Sequence, residues 1–361
     1  MIDSSLLVPG VLFFAYMSVL WLVALFTKNY GWVDFGWPSG FTAIAIYFAF
    51  IGEGLWERKV LILSLYGVCG ARFMIGWAAR NIRDGEDRRW SFWRERWQKG
   101  EGLFGIRSVS LNLFAFYQTQ TIATVFILIT PLVIACRHDS PQIYWVEWAA
   151  VAGWLTSFLF ENIADVQLDR FRSRSAGQRG ICRTGLWRYS RHPNYFCEFL
   201  IWVCYAIFAL PSATGVMDYL ALLLVPITAY WFLVHFTGIP ITELASLQRR
   251  GQDYADYCEE TNRFLPWLPK KNVSKANRHL THNRVPPSTT FPNLNGPIGR
   301  ASHGVTALGD RSSATWLAGF SVVAICFSAS LASAAPTAIT KCSSPFLASS
   351  VASFNYPNVS K

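Results

Sequence analysis

The sequence predicts an all-α fold, a polytopic transmembrane helix bundle of about seven spans with short cytosolic helices, and three observations carry that prediction. Of the 361 residues 52% are hydrophobic, 16% aromatic and only 15% charged, a balance that soluble domains of this length do not need. The apolar residues fall into runs of bilayer-crossing length. The cations between those runs gather on alternate loops.

Taken in order, the first run covers residues 6–26, long enough to cross a hydrocarbon core of roughly 30 Å and free of charge. No basic residue precedes it and no small-residue cleavage site ends it, so it reads as a span and not as a signal peptide. The second run, 41–51, is short and takes in part of 36–40; the third is 60–79. The fourth, 110–136, contains Pro131, which kinks a membrane helix without ending it when neighbouring helices satisfy the freed carbonyl. Runs at 143–163, 195–210 and 217–236 complete the set.

Seven spans put the loops on alternating sides. One side receives Lys28, eight cations in 80–107, seven in 170–191 and five in 249–271, twenty-one in all. The other receives Arg58, Lys59 and Arg137. Short basic loops stay cytosolic, which places the N-terminus outside or in the lumen and the basic C-terminal face of the membrane domain in the cytosol. The expected location is the endoplasmic reticulum in a eukaryote or the inner membrane in a bacterium. The net charge of +10 then sits beside anionic lipid headgroups and calls for no nucleic acid.

Eight scattered cysteines form no Cys-x-x-Cys pair and six histidines are equally dispersed, so neither a disulfide framework nor a metal centre is expected. Residues 100–105 spell G-x-G-x-x-G, but that fingerprint requires a preceding strand and a following helix N-terminus within a βαβ unit, and here a basic loop leads towards a span. Beyond Lys271 the character changes. Residues 272–313 are rich in Pro, Ser, Thr, Asn and Gly, and 316–335 are apolar but dominated by Ala and Ser. The division is therefore a membrane domain, 1–271, and a low-complexity, disordered and dispensable extension, 272–361, with a weak apolar segment.

Three segments on the basic side carry chemistry. The first continues the fifth span as a helix bearing Glu161, Asn162, Asp165, Asp169 and Arg172, the last three on one face. A solvated helix end with salt bridges is the plain alternative. The second holds Trp187, Tyr189, Arg191, His192, Pro193, Asn194, Tyr195 and Glu198, with Pro193 fit for a first helical turn and Asn194 and Glu198 on one face. An interfacial belt of Trp, Tyr and Arg accounts for most of it but not for Glu198 inside the apolar run. The third holds Arg249, Arg250, Tyr254 and Tyr257, with an amphipathic helix on the headgroups as its alternative. Together they supply cations for phosphates, carboxylates for ribose or amide donors, and aromatic faces for a flat ring, which reads as a dinucleotide pocket at the cytosolic membrane face.

These segments resemble the steroid 5-alpha-reductase C-terminal domain family, in its branch of largely uncharacterised membrane proteins. The likeness extends to Lys28-Asn29, Val33-Asp34 and Trp37, to Arg80-Asn81 with Gly85-Glu86-Asp87-Arg88, and to Gln118 or Gln120, so it covers about 29–269. The resemblance implies a membrane reductase that binds NADPH from the cytosol and takes a lipophilic small-molecule substrate from the bilayer. It implies that Asn162, Asp165, Arg172, Trp187, Tyr189, His192, Asn194, Glu198, Arg249 and Tyr257 line the cofactor site, with Asn194 and Glu198 at the nicotinamide and the arginines at the phosphates.

The implied chemistry is hydride transfer to the β-carbon of an electron-poor alkene with a proton delivered at the α-carbon. The steroid enzymes use a Glu and a Tyr from earlier helices on the substrate ketone, a pair with no clear counterpart here. Tyr117, Tyr195, Asp34 if protonated, and Gln118 are the candidates for polarising the substrate; an ordinary interhelical polar contact is the alternative for each, and for His235. S-adenosylmethionine-dependent membrane methyltransferases have a similar C-terminal layout. They usually carry Gly-Trp where Asn194-Tyr195 stands, and an acidic pair where this chain has Thr242-Glu243. A non-catalytic lipid-binding or scaffold protein is the third reading.

Overall fold

The computed structural model describes residues 4–102, 106–137, 142–174 and 180–270. The extension at 272–361 and the end of the G-x-G-x-x-G run, 103–105, lie outside the described residues. All regular structure among the described residues is helical.

The first two spans form α1 (Ser4–Thr27) and α2 (Trp32–Ile51). In α1 the buried side chains Phe13, Met17, Leu20 and Ala24 follow a three-to-four residue period, while Leu12, Phe14, Leu22 and Phe26 face outwards. An outward apolar face of this kind suits lipid, not water. The second run was expected at 41–51 with part of 36–40; the helix takes in all of 36–40 and starts at Trp32, and Gly36 and Gly40 let α1 lie against it. A Cβ at Gly40 would stand 1.9 Å from the Phe13 ring and one at Gly36 2.3 Å from Leu20, so only glycine permits this approach.

Next come α3 (Trp56–Asp84), which packs along α2, and the short α4 (Arg88–Gln98), capped by the Asp87 carboxylate on the Arg89 amide. The fourth span runs as α5 (Val109–Ala123), a π-helical turn at Thr124–Leu128 and α6 (Thr130–Arg137). Then follow α7 (Trp145–Arg174), a single 3₁₀ turn at Gly185–Arg188, and α8 (Pro193–Ala209) with Pro193 in its first turn. The last apolar run continues beyond its expected end as α9 (Val216–Trp231), a second π-helical turn at Phe232–Phe236 and α10 (Ile239–Arg250), before α11 (Gln252–Glu260). Both π turns end a few residues before a proline, Pro131 and Pro240. A proline cannot bond the carbonyl four residues back, and widening the turn re-satisfies the ladder without breaking the span.

Five helical stretches are long and apolar enough to cross a membrane: Ser5–Thr27, Trp56–Asp84, Val109–Arg137, Pro193–Ser212 and Val216–Arg250. The other two expected spans correspond to α2 and α7, helices of 20 and 30 residues within the same bundle. The protein is thus a membrane-embedded helical bundle. Its interior is aromatic, with Phe41, Tyr66, Trp154, Trp202 and Tyr205 buried between α2, α3, α7 and α8. At one end of α3, Arg58 is fully buried against Glu147 at 2.6 Å, and Lys59 donates to the Gly52 carbonyl at 2.7 Å. Further along α3 lies the second polar region, which contains the candidate site.

Candidate functional site

Arg72 sits near the middle of α3, inside what the sequence shows as an apolar run, and it organises the site. Its guanidinium reaches three α7 side chains within about one helical turn: Glu161 at 2.8 Å, the Asn162 amide oxygen at 3.1 Å and Asp165 at 2.6 Å. Cations do not sit within spans without such partners. From α8 the Asn194 side-chain amide donates to Asp165 at 3.1 Å. The Asn194 amide oxygen and Glu161 Oε2 are both buried with no hydrogen-bond partner. One turn after Asn194, the half-buried Glu198 carboxylate lies in the field of Arg72, Asp165 and Arg89, and no hydrogen bond or ion pair reaches it from the described residues.

A second cluster adjoins this one. Arg89, at the start of α4, pairs with Asp34 of α2 and with Asp87, both at 3.1 Å. Its charge also acts on Tyr195 of α8. Burial pushes the Asp87 carboxyl up, but the Arg89 charge and the hydrogen bonds from Arg89 outweigh it and hold the group below the usual carboxylate value. Beyond Tyr195 the walls are apolar: the Trp37 ring lies 5.7 Å from Phe73 and 6.2 Å from Trp202. The Trp37 indole is held by Thr124 of the first π turn.

The loop before α8 is fastened by a third set of contacts. The Arg191 side chain, only 9% exposed, pairs with Glu243 of α10 at 2.7 Å and donates to the Cys258 and Thr261 carbonyls. Glu243 also takes Arg263 at 3.2 Å and lies 3.4 Å from His192 Nε2. The His192 ring stacks on Tyr195, 5.6 Å away and within 10° of parallel. Residues 261–270 then run back across this loop, with Ser190 donating to the Phe264 carbonyl and the Trp267 amide to the Tyr189 carbonyl.

The sequence candidates therefore divide. Asn162, Asp165, Asn194 and Glu198 come together around Arg72. Asp34, Tyr195 and His192 lie in the adjoining clusters. Trp187 and Tyr257 are occupied by backbone: the Trp187 indole donates to the Ala164 carbonyl and the Tyr257 hydroxyl to the Trp187 carbonyl. Tyr189 is partly exposed. Arg172 is exposed at the end of α7, 3.7 Å from Asp169, as the solvated-helix reading expects. It and the exposed Arg249 both act electrostatically on Arg250. The Tyr117 hydroxyl donates to the Tyr30 carbonyl and the Gln118 amide to Ser18, both contacts of the interhelical kind. Four organising residues, Arg72, Arg89, Glu161 and Glu243, were not singled out for roles from sequence. For Arg72 a signal existed, a lone charge in the middle of an apolar run.

Among the described residues no group of three His, Cys, Asp or Glu is arranged to hold a metal ion. No solved structure matches the chain. An uncharacterised protein of Schizosaccharomyces pombe (strain 972) is 28% identical over 279 residues, covering 70% of this chain and 76% of its own length. The matching family spans residues 20–261, more than half of the chain and every residue of the Arg72 and Arg89 clusters, so the protein belongs to the DUF1295 family of proteins of unknown function.

Proposed function

We propose that this protein is a membrane-embedded, NADPH-dependent reductase of a carbon-carbon double bond in a lipophilic, steroid- or lipid-like substrate. One observation carries the reading: Asn194 Oδ1 and the Glu198 carboxylate are hydrogen-bond acceptors without donors, one helical turn apart on α8. Unpartnered acceptors within a membrane helix bundle are costly unless a ligand supplies N–H groups. The two hydrogens of a nicotinamide carboxamide are donors of that kind, so the residues fit the group.

When bound, NADPH supplies the hydride. Arg72 fixes Asp165, and Asp165 fixes the Asn194 amide so that its oxygen faces the ligand. Arg172 and Arg249, exposed near Arg250, attract phosphates from the cytosolic side. Tyr195, between the charged cluster and the apolar walls, is the best-placed donor to a substrate carbonyl or α-carbon; Asp34 is engaged by Arg89, and Tyr117 by a backbone carbonyl. The substrate arrives laterally from the bilayer, with seven spans and the basic loops cytosolic.

The experiment is a melting measurement on detergent-purified full-length protein with NADPH, NADH and S-adenosylmethionine side by side. Stabilisation by NADPH supports the reading. Stabilisation by S-adenosylmethionine alone moves the protein to the methyltransferases, and no shift at saturation favours a scaffold. Asn194→Ala and Glu198→Gln are each expected to weaken NADPH about 10- to 100-fold while the protein stays inserted and monodisperse. Both variants binding as tightly as the parent would overturn the pocket.

A further inference from the structure

The outward side chains of α9, Val216, Leu220, Leu223, Ile227 and Tyr230, recur every three or four residues and form one exposed stripe. By the helical rise it is about 21 Å long, more than the roughly 15 Å of hydrocarbon in one leaflet. Its last member, Tyr230, holds its ring 5.5 Å from Phe264 and 5.9 Å from Phe199 of α8. Phe264 lines a cleft of about 370 Å³ together with Asn262, Arg263, Leu265 and Trp267. Phe264 also packs on Phe196 in the first turn of α8, so the cleft stands where the apolar stretch Pro193–Ser212 begins. On one side the cleft is apolar: Leu265 and Trp267 are exposed, as is the neighbouring Leu268. On the other it presents unused donors. Arg263 gives its Nε to Glu243 at 3.2 Å, while its terminal nitrogens and the Asn262 side-chain amide meet no partner among the described residues. Backbone contacts hold these groups in place, the Arg191 amide donating to the Asn262 carbonyl at 2.8 Å and the Trp267 amide to the Tyr189 carbonyl at 3.0 Å. Arg191 and Arg263 share the Glu243 carboxylate, which leaves this cluster of three with one positive charge in excess.

We propose that this cleft binds the phosphate of an anionic glycerophospholipid through the Arg263 terminal nitrogens and the Asn262 amide, while an acyl chain of the same lipid follows the α9 stripe. Three features select this occupant. Charged and amide donors on a fixed backbone suit a phosphate oxygen, and the single excess charge suits one anion. The path from cleft to stripe through Phe264 and Tyr230 is continuous and apolar, as a chain joined to that headgroup requires. Exposed Trp267 and Leu268 beside Arg263 and Lys270 make the mixture of aromatic and cationic side chains that sits at headgroup level. A free phosphate would use the donors and leave the stripe idle. The bound lipid would tie residues 261–270 to α9 and so stabilise the loop before α8 that those residues fasten. None of the groups that hold it belongs to the proposed cofactor pocket, so the inference is independent of the reductase reading.

The test titrates delipidated full-length protein in detergent with dioleoyl phosphatidylglycerol, dioleoyl phosphatidylcholine or inorganic phosphate, counting bound lipid by native mass spectrometry and following the melting temperature. Phosphatidylglycerol should bind and raise the melting temperature, and phosphatidylcholine, whose choline cancels the phosphate charge, should bind more weakly. Arg263→Gln should weaken phosphatidylglycerol about 10- to 100-fold. Because that change also breaks the pair with Glu243, Asn262→Asp is the second variant: it keeps the Arg263 contact and the backbone bonds and sets a carboxylate where the phosphate would lie. It should melt like the parent without lipid and lose at least about tenfold in phosphatidylglycerol affinity. Arg170→Gln, which removes an exposed cation of α7, should bind like the parent. Equal binding of the two lipids, or parental affinity in Asn262→Asp, would reduce the contact to unspecific annular lipid and overturn the proposal. Equal stabilisation by inorganic phosphate would make the cleft a free-anion site and overturn it as well. So would a lipid-free dimer that Trp267→Ser dissolves, since a second copy would then cover this face.

Discussion

His192 and Arg191 show how a single buried side chain acquires a measurable signature. Burial lowers the affinity of the His192 imidazole for a proton more than the nearby Glu243 carboxylate raises it, so the folded protein keeps this ring's pKa below the usual histidine value. The unfolded chain takes up the proton first as pH falls. Stability from this group is therefore complete above about pH 6.5 and is lost as pH drops from there through the folded value. Melting curves between pH 5 and 8 should show that decline in the parent and a smaller one in His192→Gln. Arg191 at first sight resembles a solvated loop cation, yet its side chain joins Glu243 to the Cys258 and Thr261 carbonyls. Arg191→Ala should destabilise the fold by about 3 to 5 kcal/mol, because Glu243 and the carbonyls lose a buried partner. The loss should persist in high salt; a purely screened surface charge would show an effect that disappears.

At the scale of the element, α4 is held by charge at one end and tryptophan along its length. Trp90, Trp93 and Trp97 recur at helical spacing and are all buried, while Arg94 pairs with Glu86 and Arg96 with Glu101. Four of the eight cations in 80–107, Arg83, Arg89, Arg94 and Arg96, are thus paired with carboxylates. Removing the cap with Asp87→Ala should cost about 0.5 to 2 kcal/mol and also release one of the two carboxylates that hold Arg89. Because Asp87 ionises more readily in the folded protein, its contribution is present above about pH 4 and is lost as acid protonates it. Hydrogen exchange across 88–98 reads both effects; unchanged protection in the variant would rule out the cap as a determinant of this helix. The two π turns make the same point about elements: each lets a helix run on past a proline, Pro131 within its expected span and Pro240 beyond the expected end of the last one.

For the molecule as a whole, the buried Arg58 and Lys59 sharpen the asymmetry of charge. Both are consumed by contacts to Glu147 and Gly52, so two of the three cations on the sparse side are structural. An impermeant thiol reagent in sealed vesicles should therefore modify an engineered Gln98→Cys only from the cytosolic side; labelling from the lumenal side would reverse the proposed orientation. A chain ending at Lys271 should insert and melt like the full-length protein, since residues 272–361 have no core pattern in their sequence. One ending at Glu260 should not, because it removes the Thr261 and Phe264 carbonyls that hold Arg191 and Ser190 and the Phe264 ring that packs on Phe196 and Phe199. Comparing membrane yield and melting temperature of the two truncations separates a dispensable tail from residues 261–270, which fasten the loop before α8.

Membrane class and the segment where polar groups gather were both present in the sequence, because they depend on local quantities. Hydropathy over about twenty residues decides whether a segment suits a bilayer, and charge on short loops is countable. Asn194 and Glu198 were visible for the same reason, as polar groups one turn apart in an apolar run. The partners of those groups were not legible. Arg72 lies 90 residues from Asn162 along the chain, and Arg191 reaches a glutamate 52 residues away. Nothing local distinguishes Arg191, buried and triply bonded, from Arg172, exposed beside Asp169. Tertiary packing alone decides which cations are already used, because ion pairs depend on the distances between helices, and those were set by contacts such as Gly40 against Phe13 that hydropathy does not encode.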